Sequence, residues 1–489
     1  MESSSTQHNI TADKPGRRQP SANAVLAVLM VGTFLAPLDA SIVNIALPAI
    51  ATELHASVTS VTWVTDSYLL TVATLLLSMG RLGDTWGLRN LYVWGLLGFG
   101  AGSLVCALSG SLAMLIAARV LQASGAAMLF AAGPAIVART FPPENRGAAL
   151  GIISLAVAAG LTAGPALGGL LVGAFGWPSI FVINIPLSVI AAGIAWRTLS
   201  QEESIGESFD MLGAVLAGGT LLSLLGALTE VETYGIGSLE IIGALSASAF
   251  LGVTFIWWEG RAATPMVDLR MFHSRGFSAG LASAFFSYMA MFSITFTMPF
   301  YLVRARGMQA AAAGLILTAM PFAMASLAPF AGRLSDRIGS RVLSTAGLLV
   351  LAVGLGAMSM LELFSSLWLV AGCLLTAGAG MAVFQTPNTS AVLSAVPRAR
   401  VGIASALIAE ARNVGMALGI ALTAALVASH MGASAAALTK SGPLPAVVAG
   451  QLVGGMALAL RVAAVLALFG AALSWFFRGE AQRQVEHAR

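Results

Sequence analysis

The sequence predicts an all-α polytopic membrane protein of fourteen spans, built as two related halves with two further helices between them. Three observations carry this prediction. Hydrophobic residues make up 57% and charged residues 9% of the chain, with a mean hydropathy of +0.87, whereas soluble domains are about 25% charged. The apolar runs are about 20 residues long and rich in Ala, Leu and Gly, the length a helix needs to cross a bilayer; barrel strands would be about 10 residues long with alternating polarity. Finally, GRLGDTWGLR at 80–89 returns as GRLSDRIGSR at 332–341. Gly80, Arg81, Leu82, Asp84, Gly87 and Arg89 match Gly332, Arg333, Leu334, Asp336, Gly339 and Arg341 without a gap, an internal-repeat signal.

Taken in order, residues 1–23 are polar, carry Lys14, Arg17 and Arg18, lack periodicity, and are expected to form a disordered tail. The first apolar run is too long for a signal-peptide core and is kept as a span. Spans at 24–46, 61–80, 91–109, 112–136, 147–173 and 179–198 make a first bundle, 24–198. The segment 199–275 holds a polar loop, spans at 211–229 and 239–258, and a second loop. A second bundle, 276–477, takes spans at 277–301, 311–331, 342–360, 366–389, 402–428 and 447–477, and 478–489 is a polar tail. Repeat spacing agrees with an insertion. Asp84 and Asp336 are 252 residues apart, while six spans with short loops need roughly 180–200.

An even number of spans puts both termini on one side, and the basic residues say which. Lys14, Arg17, Arg81, Arg89, Arg139, Arg146, Arg197, Arg333, Arg341, Arg398 and Arg478 are among those on one face, against Arg304, Arg306 and Lys440 on the other. By the positive-inside rule both termini are expected in the cytoplasm. The net charge of +4 comes from arginines scattered between spans, which excludes a nucleic-acid patch. Cys106 and Cys373 fall inside apolar runs and form no disulfide framework. His8, His55, His273, His430 and His487 show no metal-ligand spacing. With no phosphate-binding GxxxxGK[ST] loop either, no cofactor, metal or enzymatic chemistry is expected.

Charges inside apolar runs mark the functional candidates, because a lone carboxylate deep in a span costs on the order of 2.5–3.5 kcal/mol on insertion scales. Asp39 lies deep in the first span, as a proton-exchanging group or as a static partner of Arg119 or Asn44. Asp66 sits in the outward half of the second span near Trp63 and Tyr68, and Glu410 and Arg412 lie in the thirteenth, where Arg412 is expected to position Glu410 or to support a helix contact. Arg461, in the last span, has no evident partner. Asp84 is expected to face the start of the third span and to reach Arg89 or an arginine of the other half, a latch that holds one packing of the helices. Phe34, Trp63, Tyr68, Phe130, Phe292, Phe296, Met298 and Phe384 are expected to wall a cavity for lipophilic cations, with Gln385 and Asn388 as polar contacts. Gly160, Gly164, Gly168 and Gly169 give a smooth helix face, and Pro165 permits a bend.

Together these stretches resemble the major facilitator superfamily, and its fourteen-span drug:proton antiporter branch in particular. Beside the repeated loop, LDASIVNIALP at 38–48 is similar to that branch's acidic first-span signature. RVLQASGAA at 119–127 resembles the fourth-span motif of an arginine and a glutamine, with Ala123 where glycine is usual. GLTAGPALGG at 160–169 resembles the fifth-span antiporter motif, and WPSIFVINIP at 177–186 the approach to span six. The resemblance covers nearly the whole chain. It implies a non-enzymatic, proton-coupled multidrug exporter of the cytoplasmic membrane, whose partners are protons, a small-molecule substrate and the lipid bilayer. Asp39 and Arg119 would couple the proton. Asp66 and Glu410, with Trp63, Tyr68, Phe34, Phe292, Phe296, Asn388 and Gln385, would meet substrate. Gating would fall to Gly80, Asp84, Gly87, Arg89, Gly332, Asp336, Gly339 and Arg341, and to Gly164 and Pro165. A monomer is expected, with an oligomer left open. The alternatives are a dedicated exporter of one endogenous product and, more distantly, a non-transporting sensor.

Overall fold

The computed structural model describes residues 22–200, 208–235, 237–432, 434 and 444–475. Apart from Ala22 and Asn23, which already belong to the first helix, the expected tails lie outside the described residues beyond Trp475 and before Ala22. The long helices of the first set are α1 (Ala22–Glu53), α2 (Trp63–Trp86), α3 (Leu88–Ala107), α4 (Leu112–Thr140), α5 (Pro143–Phe175) and α6 (Asn184–Thr198). Next come α7 (Met211–Tyr234) and α8 (Leu239–Glu259). The last set is α9 (Arg275–Pro299), α10 (Ala319–Ile338), α11 (Ser340–Met358), α12 (Leu367–Ser394), α13 (Val401–Met431) and α14 (Ala446–Trp475). Ser111, Asp210, Ser238 and Ser274 cap α4, α7, α8 and α9 by accepting a first-turn N–H.

The chain is an all-α, polytopic membrane protein: twelve helical stretches among the described residues are long and apolar enough to cross a bilayer. α2, which carries Asp66, Arg81 and Asp84, falls outside that set, as does α5, whose described apolar stretch, Ala166–Phe175, is shorter.

Packing repeats along the chain. α1 lies on α5, α2 on α4, and α3 on α4 and α6; correspondingly α9 lies on α13, α10 on α12, and α11 on α12 and α14. The sets meet most closely at two crossings, α2 with α13 and α5 with α10, and α4 also touches α13 and α12 touches α5. α7 and α8 pair with each other, and α7 rests against α2 and α13.

The repeated glycines have two separate physical reasons. Gly87 and Gly339 end α2 and α10 at φ 97° and φ 91°, where a side chain would be strained. Gly80 and Gly332 sit at the two crossings. A Cβ on Gly80 would lie 2.8 Å from the Gly402 carbonyl oxygen, and one on Gly332 would run into the Gly147 carbonyl. Small residues here let helix backbones from the two sets touch.

Candidate functional site

α1, α2, α4 and α6 converge on Asp39, which is 0% exposed. The Arg119 guanidinium donates through Nη1 to Asp39 Oδ2 at 2.5 Å. Oδ1 accepts from Gln122 Nε2 at 2.8 Å and from Asn184 Nδ2 at 2.8 Å. Arg119 also donates to the Val64 carbonyl at 2.9 Å and the Gln122 side-chain oxygen at 2.6 Å, and lies 4.1 Å from the centroid of the Tyr68 ring. Gln122 donates in turn to Ser103 at 2.9 Å. Donors from two helices thus converge on both oxygens of one buried carboxyl group. A buried pair of this kind offsets its desolvation through such additional hydrogen bonds, although Arg119 Nη2 has no partner among the described residues. Asn44, considered from sequence as a partner of Asp39, instead accepts from Thr65 at 3.4 Å.

A cavity of about 90 Å³ lies between the two sets of helices. α1, α4 and α5 line one side with Thr33, Phe130, Pro134 and Ser154, and α9, α12 and α13 the other with Tyr288, Gln385, Ser405 and Arg412. Of the residues expected in the wall, Phe130 and Gln385 are there. Tyr68 is instead packed under Arg119, Phe384 and Met298 are buried within the second set, and Phe292 packs against that core. Phe296 stacks at 5.1 Å on Phe300, Phe34 is half-buried where α1 meets Gly160, and Trp63 is exposed at the start of α2. Asn388 donates to the Gly280 carbonyl at 3.1 Å and ties α12 to α9.

The acidic candidates also lie off this cavity. Asp66 is half-buried in the first turn of α2. Glu410 is 6% exposed, and neither of its carboxylate oxygens has a hydrogen-bond partner among the described residues. It lies one turn from Ala406, whose Cβ faces Gly80, and one turn from Val414, which packs with Leu70 and Ala73. Glu410 therefore sits at the α2–α13 crossing. Arg412, expected to position Glu410, is within Coulombic reach of it and also lines the cavity, with its guanidinium 5.5 Å from the Phe130 ring centroid.

At one end of the bundle the repeated aspartates fasten the two sets together. Asp84 Oδ1 accepts from Gly402 N at 2.8 Å and Oδ2 from Ile403 N at 2.9 Å, the first amides of α13. Asp336 accepts from Gly147 N and Ala148 N, both at 3.0 Å, in the first turns of α5. Asp84 thus sits on the positive first turn of a helix from the other set, and Asp336 on the second turn of one. This differs from the expected contact with the start of the third span. Arg89 is not Asp84's partner either: Arg139 is, at 3.1 Å. Arg89 hydrogen-bonds the Trp196 carbonyl and stacks on its ring, and Arg341 stacks likewise on Trp475.

Along α5, a Cβ on Gly160 would lie 2.6 Å from the Phe34 carbonyl oxygen and one on Gly164 would lie 2.5 Å from Ser41 Cβ, so α1 and α5 are in backbone contact. Gly169 has open space, and the side chain of Pro165, on which a bend was expected, lies outside the described residues. Arg461 is exposed on α14. Gln122 and Asn184 were missed as partners of Asp39, although each is a polar residue inside an apolar run, the same signal that singled out Asp39 itself.

The sequence profile of the Major Facilitator Superfamily matches residues 29–284 and again 280–488. The tetracenomycin C resistance and export protein of Streptomyces glaucescens is 33% identical, covering 98% of this chain and 95% of that protein. The riboflavin transporter RibZ of Clostridioides difficile is 32% identical over 83% of this chain and 88% of its own. A multidrug resistance protein, Stp, of Mycobacterium tuberculosis is 34% identical over 83% and 75%. Among solved structures, the human organic anion transporter MFSD10 superposes with a TM-score of 0.64 at 17% identity, covering 93% of this chain and 100% of that one. The proton:xylose symporter XylE gives 0.65 at 14%, covering 93% and 95%. These two likenesses concern the fold alone.

Proposed function

The chain belongs to the Major Facilitator Superfamily, and from that premise we propose that it is a proton-coupled multidrug efflux antiporter, exporting hydrophobic, often cationic, compounds by alternating access. It is a carrier and not an enzyme, and a multi-pass protein of the cytoplasmic membrane. The relatives named for drug or antibiotic resistance support export. The single observation that carries the coupling is the sealed Asp39–Arg119 pair. One proton on Asp39 removes the charge that four helices are arranged around, so protonation and helix packing are linked. The proton gradient supplies the energy, at about 2.3 kcal/mol per charge per 100 mV.

In the full reading α2 and α5 also cross the membrane, making fourteen spans with both termini in the cytoplasm. Bundles 24–198 and 276–477 rock against each other, and 199–275 carries the inserted pair. The latches at Asp84 and Asp336 then close the cytoplasmic side, and Gly80, Gly87, Arg89, Gly332, Gly339, Arg341, Gly164 and Pro165 belong to the gate. Drug-sized sites have volumes of about 300–1,000 Å³. The cavity of about 90 Å³ therefore has to widen to admit substrate, which Gln385 and the rearranged Asp66, Glu410, Trp63, Tyr68, Phe34, Phe292, Phe296 and Asn388 then meet. The working unit is a monomer. A second reading, a dedicated exporter of one endogenous product, is favoured by Arg412, the charged residue that lines the cavity as it stands.

The test is ethidium uptake into inverted membrane vesicles under an imposed pH gradient. Uptake that a protonophore abolishes supports multidrug antiport. No dye movement, with the protein present in the vesicles, moves the account to the dedicated exporter.

A further inference from the structure

The inserted helices α7 and α8 meet the bundle beside one latch and not the other. At that end Asp210 caps α7 through Gly213 N at 2.8 Å and accepts the Trp258 indole N–H at 2.9 Å. Glu259, the last residue of α8 and 4% exposed, accepts from Val267 N at 3.1 Å. Both carboxylates close over Gly213, where a Cβ would lie 2.5 Å from Asp210 Oδ2 and 2.8 Å from Glu259 Oε1. The strand of loop held by Glu259 rests on α2, with Met266 Sδ 4.0 Å from Ser78 Oγ. Arg81 follows Ser78 by three residues, on the same face of α2. Its side chain is 0% exposed and within Coulombic reach of both Glu259 and Asp84. Along α2, Ser78, Arg81 and Asp84 follow one another a turn apart, from the Met266 contact to the first-turn amides of α13.

In the second copy the charge near the latch comes instead from Arg146 of α5, and not from a residue facing the inserted pair. Arg333, the counterpart of Arg81, is exposed, and Asp336 is only half-buried.

We propose that the inserted pair positions the Asp84 latch: Glu259, seated with Asp210, holds Arg81 so that Arg81 in turn supports Asp84 on the start of α13. The proposal rests on the alternating-access reading and assigns the inserted helices a role within it. Glu259 and Arg81 are positioning residues, acting through Asp84. The closed state is therefore held unequally, with one latch tuned by α7 and α8 and the other independent of them.

The experiment is a pair of double-mutant cycles on the full chain in nanodiscs, read as the closed-to-open ratio from distances between spin labels across the latched end. Glu259→Gln is expected to change that ratio by at least about fivefold, the lower range of coupling between linked sites. The change should vanish in an Asp84→Asn background, persist in Asp336→Asn, and be restored by Glu259→Asp. An equal change in all backgrounds, or none in any, overturns the proposal, since a structural defect in α8 would spread to both latches. If Glu259→Gln does not accumulate, Asp210→Asn enters the same cycles with the same two outcomes. The ratio is read without transport, so a failure to move drugs counts against the multidrug reading alone and leaves this test standing.

Discussion

The two sets of helices share a scaffold and differ in what lies at its centre. Gly102 of α3 presses on Gln122 of α4, and Gly354 of α11 presses on Ala377 of α12 at the matching crossing. Gly160 meets the Phe34 carbonyl and the Leu38 amide, as Gly415 meets those of Phe285 and Met289. In this register Asp39, Arg119 and Gln122 correspond to Ala290, Leu374 and Ala377, all buried in an apolar core. At this position one half therefore holds an ion pair and the other an apolar contact. The backbone repeat fixes how helices cross, and the side chains put on it decide which half carries a charge at this position.

The seams between the halves differ in the same way. The α2–α13 crossing, which holds Glu410, is covered by α7, with Leu225 packed on Leu70 and Ala73. The α5–α10 crossing opens instead into an apolar recess of about 930 Å³, lined by Leu155, Phe322 and Trp368. The inserted pair thus breaks the symmetry of the repeat at one seam only.

The largest expected effect comes from unbalancing the polar centre. Arg119→Ala leaves Asp39 buried without its cation and is expected to cost about 3–5 kcal/mol, read as a lower midpoint of denaturation in detergent. The reciprocal change, Ala290→Asp, brings a lone carboxylate into that apolar contact at about 2.5–3.5 kcal/mol, and should sharply reduce accumulation in the membrane on a quantitative blot. Tolerance of Ala290→Asp at full expression would mean that the second centre is wetter than its packing indicates.

Smaller effects separate the latches. Asp84→Asn removes a charge shared by two amides and Arg139, and is expected to weaken closure by about 1.5–3 kcal/mol. Asp336→Asn, for which no ion pair is found among the described residues, should weaken it by about 1 kcal/mol. Equal effects on the labelled distances would erase the distinction between them. Smallest is Arg412→Ala, which should leave stability within about 0.5 kcal/mol while shifting efflux toward cationic over anionic dyes.

Much of this was legible in the sequence. The ten-residue repeat announced two related halves, whose packing repeats along the chain, and Asp39 with Arg119 stood out because charge in an apolar run demands a partner. Asp84 was legible as a latch but its contact was not, since it binds backbone amides of α13, which every residue possesses. Aromatic residues were the poorest guide. Tyr68 and Phe384 fill space inside helix packing, and nothing in a uniformly apolar helix marks which face turns toward a cavity. Arg412 and Glu410, two residues apart, face different neighbours for the same geometric reason: a helix turns about 100° per residue, and the sequence does not say from which starting face.

The most direct test of the central claim is proton release from purified protein in weakly buffered detergent when ethidium is added. The account predicts release by the wild type and none by Asp39→Asn that remains folded. Undiminished release by Asp39→Asn would contradict it and move the exchangeable proton to Asp66 or Glu410.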